Sequence, residues 1–520
     1  MWTNSFLKND KTRNLVLVVT LMACGLSLAH AAEVSVTTVE PPLVTGFDAR
    51  AWQADYAFLK QQLQTQYANL AWFASPQGKV NLPQLDTYTR KALALAENDE
   101  QAKAVLRNFI DAFHDGHLRL IARPNASVGI TESEPPAVAI ENMDMENACA
   151  AIGVGSTSRL QFSLPFESLP GFTLFSDGVT QAFRAGIITT ERGNKLGMLR
   201  IPRFREVEYP GLCAQAWKML ASGKQGINTK QLKKAMTDAW FEVLAAHLAR
   251  MKTAGAQAVL VDVGGNGGGN DSGDWSARLL TSRAVRSAPL LMAAGPIAQA
   301  YLDEELQSMR KSYDDPDFAN TTQRSTMQAA ITMFEKALAS MSASSCDLSW
   351  VWQEQRPWQV GGCSNLAKVG FASGPYAYLP VSDYAETSYV SSMYWAANAD
   401  KYRGSWTGPV YVMTDRGVGS AAEAFVAILK DNAVIKTMGT LTGGSGCGNM
   451  QAIRPIVLPH SKLSFQAPDC VRLRADGSDE VMGITPDLPL DAVTGESDRA
   501  RAARAIKTME RDMSGINLAP

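Results

Sequence analysis

The amino-acid sequence predicts an α/β core, and three features of the chain indicate it. Residues 195–202 alternate apolar and polar side chains as a strand does, and residues 232–251 carry apolar side chains at helical spacing. Residues 259–263 form a continuous apolar run that leads into a glycine-rich turn, as in a strand buried on both faces. An apolar strand returns at residues 409–413, and such alternation of strand, helix and turn is typical of α/β proteins.

The composition excludes several classes of protein. The chain has 520 residues, and 49 Lys and Arg against 51 Asp and Glu give a formal net charge of -2. With 46% hydrophobic and 19% charged residues, it is neither a disordered chain, a collagen-like chain nor a polytopic membrane protein. Because a nucleic-acid binder needs a basic surface, we expect no nucleic-acid partner.

Residues 1–31 are predicted to be a signal peptide. Basic residues precede an apolar run over residues 15–23, and residues 29–31 (Ala-His-Ala) fit a signal-peptidase site. The run is shorter than the ~18 residues of a membrane-spanning helix, and no membrane span is expected elsewhere. A periplasmic or secreted protein that begins near Ala32 is therefore predicted. A lipoprotein anchored through Cys24 stays open as an alternative.

Export changes the interpretation of the cysteines. Removal of the signal peptide leaves six, an even number that favours disulfide bonds in an oxidising compartment. Closeness in sequence favours two pairs and leaves the third: Cys346–Cys363, Cys447–Cys470 and Cys149–Cys213. A metal pair of His114 and His117 lacks a third ligand at a suitable spacing, so neither a metal nor a cofactor is expected.

Residues 32–124 are predicted to form an N-terminal helical domain. The first helix shows one apolar face: Trp52, Tyr56, Leu59, Leu63 and Tyr67. The second is expected to stop at residues 115–117, where Gly116 would end it with a positive φ. This helix therefore positions His117 in a loop.

The rest of the chain divides into three predicted regions. Residues 125–192 are irregular and partly β, residues 193–490 form the core, and residues 491–520 form a C-terminal helical tail. An insertion at about 287–408 interrupts the core with two helical patterns and an aromatic-rich stretch. It holds five of the eleven tryptophans, which we interpret as the core of the insertion, with a lid or substrate platform as the alternative: Trp350, Trp352, Trp358, Trp395 and Trp406.

Residues 410–423 carry the strongest chemical signal. An apolar strand leads through a short turn into an amphipathic helix, with Ser420 near the start of the helix. A nucleophile benefits there, because the first helical N–H groups lack partners and the helix dipole favours negative charge. A plain N-cap is the alternative role for Ser420. The glycine turn at residues 264–269 lacks a phosphate-binding pattern but offers similar free N–H groups.

These segments resemble the carboxy-terminal processing (tail-specific) serine peptidases, a family related to the tricorn protease core and the interphotoreceptor retinoid-binding proteins. The resemblance implies a ClpP/crotonase-like α/β core with Ser420 as the nucleophile. It also implies an oxyanion hole formed by the N–H of Ala421 and an N–H from Gly268 or Gly269. The matching segments follow the family's order: residues 115–117, 197–202, 262–269, 419–423 and 483–487.

Two departures from the family pattern place the chain nearer its tricorn-like branch. Processing peptidases usually carry a lysine about 25 residues after the serine, but the corresponding loop, residues 443–449, has none. A recognisable PDZ domain is also missing. In the tricorn-like branch a histidine and a late glutamate assist the serine, which implies His117 as the general base and Glu480 as its support. Histidine suits this role because its ordinary pKa is about 6.5, against about 10.4 for lysine.

The sequence therefore predicts an exported serine peptidase that acts on a peptide or protein substrate through an acyl-enzyme. A non-catalytic protein that binds an apolar ligand or a peptide on the same fold is the main alternative, since the retinoid-binding relatives have that role. A hydrolase of non-peptide esters is a further one. The sequence implies no oligomeric state.

Overall fold

A computed structural model describes residues 46–121, 139–155, 163–221, 226–315, 323–341, 346–359, 362–372, 374–378, 391–450 and 455–515. Residues 47–520 form one compact unit. The predicted signal peptide, its cleavage site and Cys24 lie outside the described residues.

The elements alternate between helix and strand through most of the chain. The helices are α1 (Ala49–Gln66), α2 (Leu70–Phe73), α3 (Leu82–Leu95), α4 (Asp99–Asp111), α5 (Met145–Ala151), α6 (Pro210–Ala221), α7 (Thr229–Thr253), α8 (Ser272–Ser276), α9 (Pro296–Tyr313), α10 (Gln323–Ser340), α11 (Ser391–Asp400), α12 (Ala421–Asp431) and α13 (Asp498–Met513). The strands are β1 (Arg119–Ile121), β2 (Phe172–Asp177), β3 (Arg184–Thr189), β4 (Lys195–Arg200), β5 (Ala258–Asp262), β6 (Pro289–Ala293), β7 (Leu366–Phe371), β8 (Val410–Thr414), β9 (Lys436–Gly439), β10 (Ile456–Val457), β11 (Ser464–Gln466), β12 (Cys470–Arg472) and β13 (Leu488–Pro489). Within the described ranges, no helix has the length and apolar character that crossing a membrane requires.

The largest sheet of the described chain has the order β13-β9-β8-β5-β4-β3-β2. Strands β4, β5, β8, β9 and β13 are parallel, while β2 and β3 join as an antiparallel edge. The predicted α/β fold class is confirmed.

Both faces of this sheet are covered, as the continuous apolar run of β5 predicts. Val259 and Val261 pack on the side of α7 and α12, and Ala258 and Leu260 pack on the side of α13. Side chains of a strand alternate between faces, so a strand covered on both sides is apolar at every position.

The N-terminal helices pack around a second, small sheet of order β1-β11-β10. Helix α1 buries Trp52, Leu59 and their neighbours on the predicted face. The expected positive φ at Gly116 is wrong: α4 ends at Asp111, and His114 is the residue with a left-handed φ of 55°. Glycine at position 116 gives room to the Ser445 side chain, since a Cβ there would lie 2.5 Å from the Ser445 Oγ.

The insertion contributes β6 and β7, which form a three-stranded sheet with β12 in the order β12-β6-β7, and its helices α9 and α10 cover this sheet. The interpretation of the five tryptophans as the insertion's own core is wrong, because in the described residues that core contains none of them. Trp350, Trp352 and Trp358 pack with the N-terminal helices, while Trp395 and Trp406 pack with the main core. The first three tryptophans precede β7 in the chain, and the last two follow it.

Three disulfide bonds join the six described cysteines in the pairs that closeness in sequence favours. Cys447–Cys470 and Cys346–Cys363 have Cα–Cα distances of 5.6 and 5.7 Å, and Cys149–Cys213 has one of 6.1 Å. Cys447 precedes Gly448, whose backbone pairs with Cys470 in an isolated β-bridge. This disulfide therefore fixes the loop that follows β9 to strand β12.

Removal of the Cys447–Cys470 bond by Cys447→Ala with Cys470→Ala is expected to lower the free energy of unfolding by about 2–4 kcal/mol. It should also lower kcat about 10-fold or more, because the loop contacts the candidate site and a small displacement there is costly. Urea unfolding and peptide turnover measure the two effects. The control, Cys346→Ala with Cys363→Ala, removes a bond remote from this loop, so it should lose stability and keep kcat. Equal kcat losses in both variants would contradict the prediction.

Candidate active site

The candidate site lies at the carboxyl ends of the parallel strands, the edge where open α/β sheets bind ligands. The segment after β4 leads to residues 201–204, and the glycine turn follows β5. The turn after β8 leads to Ser420, and the loop after β9 contains residues 443–448. Because these strands are parallel, all four segments converge at one edge.

Ser420 stands at the junction of turn and helix in a rare backbone conformation, with φ 53° and ψ -122°. A non-glycine residue in such a conformation costs about 1–3 kcal/mol, which the surrounding structure must offset. The N–H of Ser420 donates to the Glu423 Oε2 at 3.2 Å. This backbone places Ser420 ahead of the first turn of α12.

His117 is half-buried and its ring is fixed by one main-chain contact. Its Nδ1 lies 2.7 Å from the carbonyl oxygen of Ser445. Because a carbonyl only accepts, Nδ1 carries the single proton of a neutral imidazole, and the free lone pair of that tautomer is on Nε2. Gly448 lies against Nε2, where a Cβ would come within 2.9 Å, so glycine at this position leaves the imidazole room.

Ser445 lies between the segment that carries the histidine and the segment that carries the serine. A Cβ on Gly116 would lie 2.5 Å from the Ser445 Oγ, and a Cβ on Gly419 would lie 2.9 Å from it. These glycines immediately precede His117 and Ser420. The residues that precede the two candidate catalytic residues therefore lie against the same side chain.

Asp115 shapes the turn that carries His117. Its Oδ1 accepts the main-chain N–H of His117 at 2.9 Å, and its Oδ2 accepts from the Tyr67 hydroxyl and the Asn69 amide at 2.8 and 3.0 Å. Burial raises the pKa of Asp115, while His117 and these hydrogen bonds oppose the rise. A buried carboxyl thus sits two residues from the imidazole.

The glycine turn has two candidate oxyanion donors, the N–H groups of Gly268 and Gly269, and only the second is available. The N–H of Gly268 donates to the Asn266 Oδ1 at 2.8 Å, so it is occupied. Among the described residues, neither the N–H of Gly269 nor that of Ala421 has a hydrogen-bond partner. A Cβ on Gly268 would lie 2.7 Å from the Ser420 Cβ and 2.8 Å from the Ala421 N, which places the turn directly against the serine.

Asn266, to which sequence reasoning gave no role, joins three segments of the site. Its Nδ2 donates to the Ile201 carbonyl at 2.7 Å, and its own carbonyl accepts the N–H of Gly419 at 3.0 Å. It is fully buried. An asparagine inside the glycine run that follows a buried strand was the available signal.

Glu423, also missed, gathers five donors on one buried carboxyl. Its Oε1 accepts from the Thr442 hydroxyl and the Gly444 N–H at 2.5 and 2.7 Å. Its Oε2 accepts N–H groups of Ser420, Ser445 and Gly446 at 3.2, 2.7 and 3.3 Å. Burial raises the pKa of Glu423 to about 7, against the lowering effect of these hydrogen bonds. The Ser-x-x-Glu spacing of a capping box was the signal that could have found it.

The expected contact of Glu480 with His117 is replaced by another. The Glu480 Oε2 accepts from the Arg472 Nε at 2.7 Å in a buried ion pair. The Arg472 Nη2 in turn donates to the Gly446 carbonyl at 3.1 Å and lies 3.4 Å from the Ser420 carbonyl. The position beside the His117 Nδ1, where a supporting carboxylate was expected, is taken by the Ser445 carbonyl.

The family model described as Peptidase family S41 matches residues 195–490. The chain belongs to peptidase family S41. It is a serine-type peptidase, and the resemblance drawn from its motifs is confirmed at the level of the family. The peptidase's substrate class is accordingly a peptide or protein.

Solved structures share the fold of this peptidase. Mature CPAF complexed with lactacystin is 15% identical, with a TM-score of 0.51, and the match covers 90% of this chain and 99% of that chain. Mature CPAF alone gives 14% identity and a TM-score of 0.50, covering 90% and 98%. A mutant of CPAF gives 13% identity and a TM-score of 0.53, covering 89% and 97%. No curated protein matches the sequence.

The remaining histidines and lysines of interest have structural contacts. His247 is buried, with its Nε2 2.9 Å from the Ala182 carbonyl, and the main-chain N–H of His460 donates to Asp55. Lys436 lies in β9 and pairs with Asp512, while the Lys462 Nζ donates to the Pro459 carbonyl. Across the described ranges, no group of three His, Cys, Asp or Glu side chains could hold a metal.

Glu423→Gln tests the role of the buried carboxyl. Whichever way the amide is turned, its NH2 faces at least one buried N–H donor, so we expect a loss of about 1–3 kcal/mol for each donor left unpaired. We also expect kcat to fall about 100-fold, because the loop that carries Ser445 loses its anchor.

Urea unfolding and peptide hydrolysis measure both quantities. Glu510→Gln is the matched control, since Glu510 is a buried acceptor for Thr190 and Asn194 at the opposite end of the sheet. It should lose stability but not kcat. Full turnover by Glu423→Gln would show that the carboxyl does not position the site.

Asp479 gives the peptidase a pH-dependent stability. It is buried, and its Oδ2 has no hydrogen-bond partner among the described residues. Burial raises the pKa of Asp479 from 3.8 to about 8, and the Asp115 and Glu480 charges add to the effect. Between these values the folded chain keeps a proton that the unfolded chain releases, so stability is full below the lower pKa and falls as the pH rises toward 8.

Asp479→Asn is expected to be as stable as the wild type near pH 4 and more stable at pH 8. The asparagine imitates the protonated acid, and each titrating proton contributes at most about 1.4 kcal/mol per pH unit. Urea unfolding of both proteins at pH 4, 6 and 8 measures the difference. If the free energies of unfolding of the two proteins differ by the same amount at all three pH values, the pKa of Asp479 is not raised in the folded chain.

Proposed function

We propose that this peptidase is exported and cleaves peptide bonds through an acyl-enzyme on Ser420, with His117 as the general base. The observation that carries the proposal is the contact of the His117 Nδ1 with the Ser445 carbonyl at 2.7 Å. It leaves Nε2 as the unprotonated nitrogen, and Ser445 lies between the residues that precede His117 and Ser420.

The reaction proceeds in two halves. The Ser420 Oγ attacks the scissile carbonyl as the His117 Nε2 takes its proton, and the N–H groups of Ala421 and Gly269 stabilise the oxyanion. The C–N bond then breaks, the leaving amine takes the proton from His117, and an ester on Ser420 remains. Water, deprotonated by His117, hydrolyses that ester and restores the serine.

Glu480 supports the site indirectly in this proposal. Its carboxylate balances the charge of Arg472, whose guanidinium contacts the carbonyls of Gly446 and Ser420. Gly446 follows Ser445, so the pair helps to fix the loop that orients His117. An assisting histidine and late glutamate support placement in the tricorn-like branch.

The predicted signal peptide and the three disulfide bonds support export to the periplasm or beyond the cell, where thiols oxidise. The aromatic residues that would suit an apolar-ligand protein are packed against the helical and sheet cores. They therefore give no support to the binding alternative.

A fluorophosphonate probe and a peptide mixture test the mechanism together. Ser420→Ala should abolish stoichiometric labelling, and His117→Ala should lose activity comparably, by about 10³-fold or more. Glu480→Gln should lose less, because it impairs positioning and leaves the base in place. His460→Ala is the control, since His460 is an exposed histidine that lies against Trp52.

Near-normal turnover by folded His117→Ala would exclude the histidine mechanism. Absence of labelling in the folded wild type would exclude an active serine. Cleavage of esters but of none of the peptides would leave a hydrolase of a different substrate class. Mass spectrometry of the peptide mixture identifies the scissile bonds.

A further inference from the structure

Arg203 lies beside the glycine turn that contacts Ser420. A Cβ on Gly267 would come within 2.7 Å of the Arg203 Nη1, so the guanidinium lies directly over this glycine. Gly267 is the neighbour of Gly268, which faces the Ser420 Cβ. The same turn thus contacts the arginine through one residue and the serine through the next.

The main chain fixes the direction of this arginine. Phe204 forms an isolated parallel bridge with Gly269, and its N–H donates to the Gly268 carbonyl at 3.2 Å. The Arg203 carbonyl accepts from the buried Tyr209 hydroxyl at 2.7 Å. Adjacent residues of an extended segment face opposite sides, so Phe204 enters the core and Arg203 faces away from it.

The guanidinium of Arg203 has no carboxylate partner in the described part of the chain. It is half-buried, unlike the exposed Arg205 two residues later. Glu206, a nearby acid, accepts from the Asn270 Nδ2 at 2.8 Å. By contrast, two other arginines near this edge of the sheet, Arg200 and Arg472, are paired with buried carboxylates.

We propose that Arg203 selects substrates by binding a carboxylate close to the scissile bond. The distance from the Arg203 Nη1 to a Cβ on Gly267 is 2.7 Å, and the distance from a Cβ on Gly268 to the Ser420 Cβ is also 2.7 Å. With the two Cα–Cβ bonds and the Cα–Cα step between the glycines, the Nη1 lies within about 12 Å of the Ser420 Cβ. An extended peptide covers that distance in about three or four residues. A guanidinium binds carboxylates in a two-pronged geometry, and the group is either an acidic side chain or the terminal carboxylate of the substrate.

This inference rests on the proposed function, and it concerns which peptides that site prefers. A hydrogen bond between charged groups in a partly buried site changes kcat/KM by about 10-fold or more. The preference should therefore be visible between peptides that differ by one charge.

Three peptides built around one scissile bond distinguish the two sources of the carboxylate. The first has a glutamate within three residues of the bond and an amidated end. The second has glutamine there and a free terminal carboxylate within three residues. The third has glutamine and an amidated end. Wild type, Arg203→Gln and Arg203→Glu are compared by kcat/KM. For Arg203→Glu, a further peptide has lysine in place of the glutamate of the first peptide.

Wild type should cleave the first or the second peptide about 10-fold faster than the third. Preference for the first identifies an acidic side chain as the bound carboxylate, and preference for the second identifies the terminal carboxylate. Arg203→Gln should reduce that ratio to about one, and Arg203→Glu should turn the preference toward lysine, which a merely structural role would not do. Arg192→Gln makes the same charge change in the turn between β3 and β4, at the opposite end of the sheet, and should keep the ratio.

Equal kcat/KM for all three peptides in the wild type, or an unchanged ratio in Arg203→Gln, overturns the inference while leaving the peptidase mechanism intact. Fluorescence anisotropy measures the binding of the same peptides to Ser420→Ala. It separates the carboxylate preference from the peptidase mechanism. A carboxylate preference that depends on Arg203 there, with no turnover in the wild type, upholds the inference and excludes the proposed mechanism. Equal binding of all three peptides overturns the inference by itself.

Discussion

Five donors converge on the buried carboxyl of Glu423, and the geometry of the site depends on that convergence. One of its oxygens accepts the N–H of Ser420, which stands in a strained conformation, and the N–H of Ser445. The carbonyl of that same Ser445 then fixes the imidazole of His117. The proposed nucleophile and base belong to segments about 300 residues apart in the chain, and the Glu423 side chain binds the segments that hold both. A carboxylate suits this position because it has two acceptor oxygens, whereas an amide side chain has one.

The electrostatics around this carboxyl explain the buried arginine. Glu423 and Glu480 are two acids close enough for the charge of Glu480 to raise the pKa of Glu423. Burial disfavours the charged form of Arg472, yet its pKa is raised, because Glu480, Asp271 and Asp274 surround it. A buried cation among acids is stable only while its partners remain, so removal of one partner leaves an uncompensated charge. The Glu480–Arg472 pair is therefore part of the scaffold of the site, and it contacts the nucleophile only through main-chain carbonyls.

Local pattern was sufficient to predict the sheet, and it was insufficient for the contacts between distant segments. The apolar run of β5 required cover on both faces, and the turn before Ser420 required a strand and a helix, so these elements were predictable. The place of Ser445 between Gly116 and Gly419 depends on how its loop binds the Glu423 carboxyl, which no spacing reveals. For the same reason the tryptophans of the insertion were assigned to the wrong core. Gly116 was expected to supply a turn conformation, whereas its absent side chain makes room for Ser445, a residue 329 positions later.

The loop after β9 shows why a histidine would be sufficient as the base in the proposed mechanism. Ser445 follows Ser420 by 25 residues, the spacing at which processing peptidases usually carry lysine. A lysine must be strongly desolvated before it accepts a proton at neutral pH, whereas histidine requires only the correct tautomer. The Ser445 carbonyl supplies that tautomer without a charge. In the proposed mechanism, the positive imidazole would need a nearby negative charge, which Asp115 could supply. The Asp115 carboxyl binds the main chain of His117, and the interaction with His117 opposes the rise in the Asp115 pKa. Orientation and charge compensation, which a single acid commonly provides, are here divided between a main-chain carbonyl and a buried aspartate.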